Sequence, residues 1–329
     1  MTAPPDLRPD DPRPVAEEPE ADLAGSAVRL AHFAPAVAAL CSDPPDRLVA
    51  LLADPAVPFE RRLAAGTLLA LVGDPRLDAR RPDLVDIPAA RVVIGLQPER
   101  VTEVAAAWAH VGVERSWIAK EVPAHEVRVE AFRLGRFPVT NVEYLQYVLA
   151  RPDEAARPTS WPHGTFPWAA ANHPVYSLPA EAAEGYAVWL SAETGRRFRL
   201  PTEAEWEYGA SGGDGREFPW GDAWEPHRAN TAEAGPLQTT PVGLYHEGRS
   251  PFGLHDVAGN VEEYVSDRYA AYPGGEPVDD DLTSLYGETY RIARGGSYAR
   301  HGDLARCRRR HGWYPSDHYA MGFRLAESI

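Results

Sequence analysis

A chain of 329 residues with 44% hydrophobic and 10% aromatic residues is globular and can form one sizeable domain plus a smaller one. Its formal charge of -15 excludes general nucleic-acid binding, which needs a basic field to release counterions from phosphates; the one strong basic cluster, Arg306 to Arg310, is local. Two cysteines, Cys41 and Cys307, exclude a disulfide framework, and no run nears the ~18 apolar residues of a membrane helix, so a soluble, cytoplasmic protein without a membrane partner is expected.

Residues 1–23, rich in Pro, Asp and Glu, hold too little apolar area to offset ordering entropy and are expected to form a disordered leader. Residues 24–82 read as a small helical module. Val28, Leu30, Phe33, Val37 and Leu40, then Leu48, Leu51 and Leu52, then Leu63, Leu68, Leu69 and Val72 recur at helical spacings. Asp43-Pro-Pro and Asp54-Pro-Ala-Val-Pro divide the pattern, and Gly73 suits a C-terminal cap. The arrangement is HEAT-like but has too few repeats for a solenoid. Few polar side chains converge in it, so docking, on the main domain or on a partner protein, is its expected role.

Residues 83–329 form the second unit. Leu84–Ile87 and Arg91–Ile94 look like a hairpin, and Glu126–Glu130 alternates as a half-buried strand does. Thr140 caps a helix over 141–149 with Glu143 completing a capping box, and residues 178–191 form a second amphipathic helix. Thr202 and Glu205 make another box, with Trp206 turned inward. Beyond this the chain is dense in Gly, Pro and aromatics. Lys120 is the sole lysine and arginine carries the remaining positive charge beside 32 prolines, a composition compatible with a thermophile and equally with a GC-rich genome.

Phe137-Pro-Val-Thr-Asn141, His173-Pro-Val175, Gly195 to Tyr208, Phe218-Pro-Trp-Gly-Asp222, Pro241-Val-Gly243, Phe252 to Tyr264, Arg294-Gly-Gly-Ser297 and Gly322-Phe-Arg324 occur in one order. From about Asp83 to Leu325 this order resembles the formylglycine-generating enzyme, or sulfatase-modifying factor, superfamily. The resemblance implies an α+β, C-type-lectin-like fold with much irregular backbone. It also implies two copper-binding cysteines, the first three residues after the Arg-Gly-Gly-Ser serine and the second five further on. Those positions here are Arg300 and Ala305, neither of which supplies a thiolate.

Cys307 is a lone thiol that Arg306 and Arg308 would activate, or a small buried residue. Sulfoxide synthases of this fold use histidines from an attached helical bundle, but no His-x-x-x-His pair exists among the 11 histidines. No cofactor is required by this reading. Structural calcium is allowed by the resemblance, with Asn230 and the Asp256–Asn260 loop as candidates.

The remaining resemblance is to variable proteins of diversity-generating retroelements, in which residues between Arg-Gly-Gly-Ser and Gly-Phe-Arg are changed through NNC-type codons. Such codons cannot encode Lys, Glu, Gln, Met or Trp, and between Tyr298 and Met321 only Trp313 and Met321 fall outside the permitted set. The stretch 298–321 lacks apolar periodicity and is rich in Tyr and Arg, types suited to contact. The expected ligand-binding residues are Tyr298, Arg300, His301, Asp303, Leu304, Arg308, His311, Trp313, Tyr314, Asp317, His318 and Tyr319, with Arg306 and Arg310 buried in the frame.

The expectation is a non-enzymatic receptor or display protein for a protein ligand. One alternative is a formylglycine-generating-type oxidoreductase acting on a cysteine or thiol substrate. Another is a scaffold or regulatory partner working through the helical module.

Overall fold

The computed structural model describes residues 33–287, 289–314 and 319–329. The expected leader and the contact candidates Asp317 and His318 lie outside the described residues.

Residues 33–40 are helical, and Pro45 at the first turn starts α1 (Pro45–Ala53), since a missing N–H costs nothing there. α2 (Phe59–Val72) ends at Gly73, whose φ of 97° suits glycine and whose N–H donates to Leu69 O. Leu40, Leu48, Leu52 and Leu69 bury the inner faces, and Leu244 and Tyr245 of the larger unit close the cluster. The joint is close. A Cβ on Gly66 would lie 2.8 Å from Pro241, while Asn172 Nδ2 donates to Gly66 O at 2.9 Å. Arg76 holds Asp74 at 2.6 Å and donates to Val242 O at 3.1 Å. The module's apolar face is thus covered by its own chain.

β1 (Leu84–Ile87) and β2 (Ala90–Ile94) do not form the expected hairpin. β2 pairs antiparallel with β3 (His125–Val129), and β1 pairs with β4 (Phe132–Gly135), putting Ile87 opposite Phe132. Pro88 between them offers no N–H to a ladder, and each run finds its complement some 35–50 residues along. Between β2 and β3 lie two short helices, α3 (Val101–Ala107) and α4 (Arg115–Ala119).

The capping boxes appear as expected. Thr140 and Glu143 start α5 (Asn141–Ala150), with Thr140 N donating to Glu143 at 2.9 Å. α6 (Ala180–Thr194) is followed by β5 (Phe198–Arg199) and by α7 (Glu203–Ser211), where Glu205 N donates to Thr202 Oγ1 at 3.2 Å. Trp206 turns inward, and its Nε1 donates to Glu263 at 2.7 Å.

The last elements are β6 (Glu262–Arg268), α8 (Asp281–Tyr286), β7 (Arg291–Arg294), β8 (His311–Gly312), β9 (Met321–Gly322) and β10 (Ala326–Ser328). One four-stranded sheet runs β1-β4-β10-β5, and the other runs β8-β7-β6-β9, with β6 and β9 parallel. Arg324 ties the two sheets: it grips Glu263 at 2.6 Å through two nitrogens and donates to Gly135 O and His255 O. A guanidinium fork matches carboxylate geometry, which fits arginine for this central role.

Candidate functional site

The excursion from β7 to β8 carries most of the residues singled out by the sequence. Gly295 and Gly296, at φ 93° and 68°, fold the chain back sharply, and a Cβ on Gly296 would lie 2.9 Å from the Leu304 backbone. The following loop turns inward. Arg306 takes both oxygens of Glu121 at 2.9 and 2.8 Å and Glu217 at 2.9 Å. Arg308 takes Glu217 at 2.6 Å, and Arg310 takes Glu203 at 2.8 and 3.0 Å while donating to Lys120 O. Arg294 shares Glu203 at 2.7 Å.

Arg306 and Arg310 therefore belong to the frame as expected, with carboxylates as their main partners. Four of the expected contact residues, Asp303, Leu304, Arg308 and Tyr319, are also buried. Arg308 points at Glu217, and Asp303 faces Arg309 at 3.5 Å. A guanidinium can be desolvated only with such partners, and those partners are distant in sequence.

The two positions of the implied copper thiolates are built differently from each other. Arg300 lies with its guanidinium carbon 4.8 Å from the Tyr319 ring centre and its Nε 3.8 Å from Glu262. Glu262 in turn lies 2.8 Å from His311 Nδ1, and the Tyr319 hydroxyl is 3.3 Å from that nitrogen. Burial holds the His311 imidazole below its usual value while Glu262 acts to raise it, and Nδ1 faces the carboxylate. Ala305 is fully buried among Trp108, Phe218 and Val104, an apolar setting without ligands.

Cys307 is fully buried. Desolvation pushes its thiol well above the ordinary range despite Arg308 and Arg294. The activation suggested by its sequence neighbours is overturned, because those guanidinia are turned onto glutamates.

The calcium candidates are engaged with the backbone. Asn260 Oδ1 accepts from Thr240 N at 3.0 Å, Asp256 accepts from Gly243 N at 2.7 Å, and Asn230 Nδ2 donates to Gln238 O at 2.9 Å. Asn230 Oδ1, buried beside them, has no hydrogen-bond partner among the described residues. Among the described residues no group of three or more His, Cys, Asp or Glu forms a metal site. His301 instead approaches Glu233, at 3.6 Å.

Part of the expected face does reach solvent. Tyr298 and His301 are half-buried, as are His311 and Tyr314, and Trp313 is 38% exposed. Trp313 stands 6.1 Å from Tyr286, and the pair flanks a cleft of about 600 Å³. Tyr264, Tyr290, Arg268 and Arg291 line it together with Trp313 and Tyr319. Sequence reasoning missed this cleft; its only local signal is the density of Tyr286, Tyr290 and Arg291.

Residues 76–329 match the family described as "Sulfatase-modifying factor enzyme 1-like domain". The chain is 34% identical over 227 residues to the "Serine/threonine-protein kinase pkn1" of Chlamydia pneumoniae, covering 64% of this chain and 35% of that one. It is 32% identical over 214 residues to the "Hercynine oxygenase" of Mycolicibacterium smegmatis, covering 54% and 48%. It is 33% identical over 235 residues to the "Formylglycine-generating enzyme" of Streptomyces coelicolor, covering 55% and 72%.

The chain thus spans 35% of the first of these relatives and 48% of the second. Among solved structures, PvdO from Pseudomonas aeruginosa is similar with a TM-score of 0.58 and 25% identity, covering 76% of this chain and 95% of that one. Treponema denticola variable protein 1 shares the fold with a TM-score of 0.52 and 20% identity, covering 74% and 94%. The chain belongs to the sulfatase-modifying factor enzyme 1-like family, with the α+β fold that its motifs predict.

Proposed function

We propose that this chain is a non-enzymatic ligand-binding protein that uses the family's rigid frame to present a C-terminal contact face. The observation carrying the reading is the fate of the two thiolate positions. Arg300 is held by Glu262 and Tyr319, and Ala305 is sealed in an apolar cluster, so neither position offers a soft metal ligand. Among the described residues, the contact residues retained are Tyr298, Arg300, His301, His311, Trp313 and Tyr314, together with the adjoining cleft. Asp303, Leu304, Arg308 and Tyr319 serve the frame.

Diversification by a retroelement is part of the proposal; among the described residues, burial and codon type leave Tyr298, Arg300, His301, His311 and Tyr314 as changeable positions, while Trp313 lies outside the codon set. Neighbouring DNA is expected to hold a reverse transcriptase and an imperfect repeat of codons 298–321 differing at adenines; a genome lacking both refutes the diversification. For the non-enzymatic reading, purified protein is incubated with copper(I), oxygen and a cysteine peptide, and mass spectrometry is expected to find no formylglycine. Product that disappears in Cys307→Ala would overturn it.

A further inference from the structure

We propose that the cleft beside Trp313 is a binding site for a small planar aromatic molecule carrying a carboxylate. This rests on the ligand-binding reading above and assigns its ligand class. The cleft's volume, about 600 Å³, lies within the roughly 300–1,000 Å³ of small-molecule sites, which are mostly apolar with a few fixed polar groups. Its walls are aromatic: Tyr264 and Tyr290 are buried, while Trp313 and Tyr286 stand at the rim with their planes tilted by 34°. Such a set receives a flat ring by offset or edge-to-face contact.

The polar groups select the charge. β6 and β7 place Arg268 directly opposite Arg291, and both line the cleft. Like charges in that relation destabilise a sheet unless something offsets them. Arg291 is offset by Glu184 at 2.6 Å. Arg268 is exposed and has no carboxylate partner among the described residues. The Ser and Thr hydroxyls of the lining are already engaged, Ser177 with Tyr319 O, Thr289 with Tyr269 O and Thr159 with Ser177 O. Recognition of a charged ligand therefore falls to Arg268, with the unpartnered Nε of Arg291 beside it. Glu181, the carboxylate of the lining, comes from α6, so the anionic end of the ligand belongs at the β6–β7 wall.

The test is calorimetric titration of the full chain with N-acetyl-L-tryptophan, with its uncharged amide, and with a ten-residue peptide containing Glu-Trp-Glu. The acid is expected to bind at least about tenfold more tightly than the amide, the worth of one charge-assisted hydrogen bond. Arg268→Gln should abolish that preference, and Trp313→Ala should weaken both by about fivefold or more, in variants whose far-ultraviolet circular dichroism is unchanged.

Equal binding of acid and amide by the unaltered protein, or no binding of either, overturns the proposal without touching the non-enzymatic reading. Binding of the peptide alone overturns it in favour of a protein ligand. Oxygen consumption with the acid would instead refute the non-enzymatic reading while leaving the site in place.

Discussion

Arg306→Leu separates a buried frame from a displayed surface. Arg306 is 1% exposed and Glu121 0%, and no other cation among the described residues bonds to that carboxylate. Glu217 is less affected, since Arg308 at 2.6 Å and Arg100 at 2.9 Å remain on it. Removing one partner of a buried pair costs about 3–5 kcal/mol. Protonating an ordinary glutamate at pH 7 costs about 3.7 kcal/mol, from about 2.7 pH units at about 1.36 kcal/mol each, which places the expected loss at ~3–4 kcal/mol. In urea unfolding followed by tryptophan fluorescence, with a slope of about 1–3 kcal/mol per molar, the midpoint falls by roughly 1–4 M. The double variant Glu121→Leu/Arg306→Leu recovers most of the loss, since apolar replacement of a buried pair is often neutral. A loss below ~1 kcal/mol for the single variant, the value of a solvated surface charge, would refute the burial argument and return this segment to the contact face.

Thr202→Ala removes the acceptor for Glu205 N and is expected to cost about 1 kcal/mol, lowering Tm by roughly 2–4 °C in calorimetry. Burial pushes the Asp256 carboxyl up to about 6, above the ordinary aspartate value, so the folded chain holds that proton more tightly than the unfolded chain does. The resulting stability is full below about pH 4 and is lost as pH rises through about 6. Between pH 4 and 7 the protein should therefore lose about 2–3 kcal/mol relative to Asp256→Asn, and a pH-independent gap between the two in urea midpoints would contradict this. Ellman's reagent should titrate the exposed Cys41 in the folded protein and Cys307 only after denaturation; rapid reaction of both thiols would show that Cys307 is accessible.

What could be read from the sequence was local. Thr140 with Glu143, Thr202 with Glu205, and Gly73 each act within one turn of helix, so their neighbours in sequence are their neighbours in space. Ordered motifs were legible for the same reason. Burial in the β7–β8 excursion was not, because Arg308 and Arg306 find Glu217 and Glu121 at separations of 91 and 185 residues. Without periodicity, inward and outward side chains look alike. The false hairpin of β1 and β2 has the same origin, since strand partners were chosen across the fold. The cleft draws its walls from segments near 178, 264, 290 and 313, and no single window of sequence contains it.

The ion pairs of Arg294, Arg306, Arg310 and Arg324 also bear on temperature. Hydration of charged groups weakens on heating, so the penalty for burying these guanidinia and carboxylates falls as the solution warms, while hydrophobic stabilisation levels off. A core fastened this way resists heat better than its cold stability would suggest. Its unfolding curve should decline slowly on the hot side, where a purely apolar core of equal stability at room temperature would already be melting.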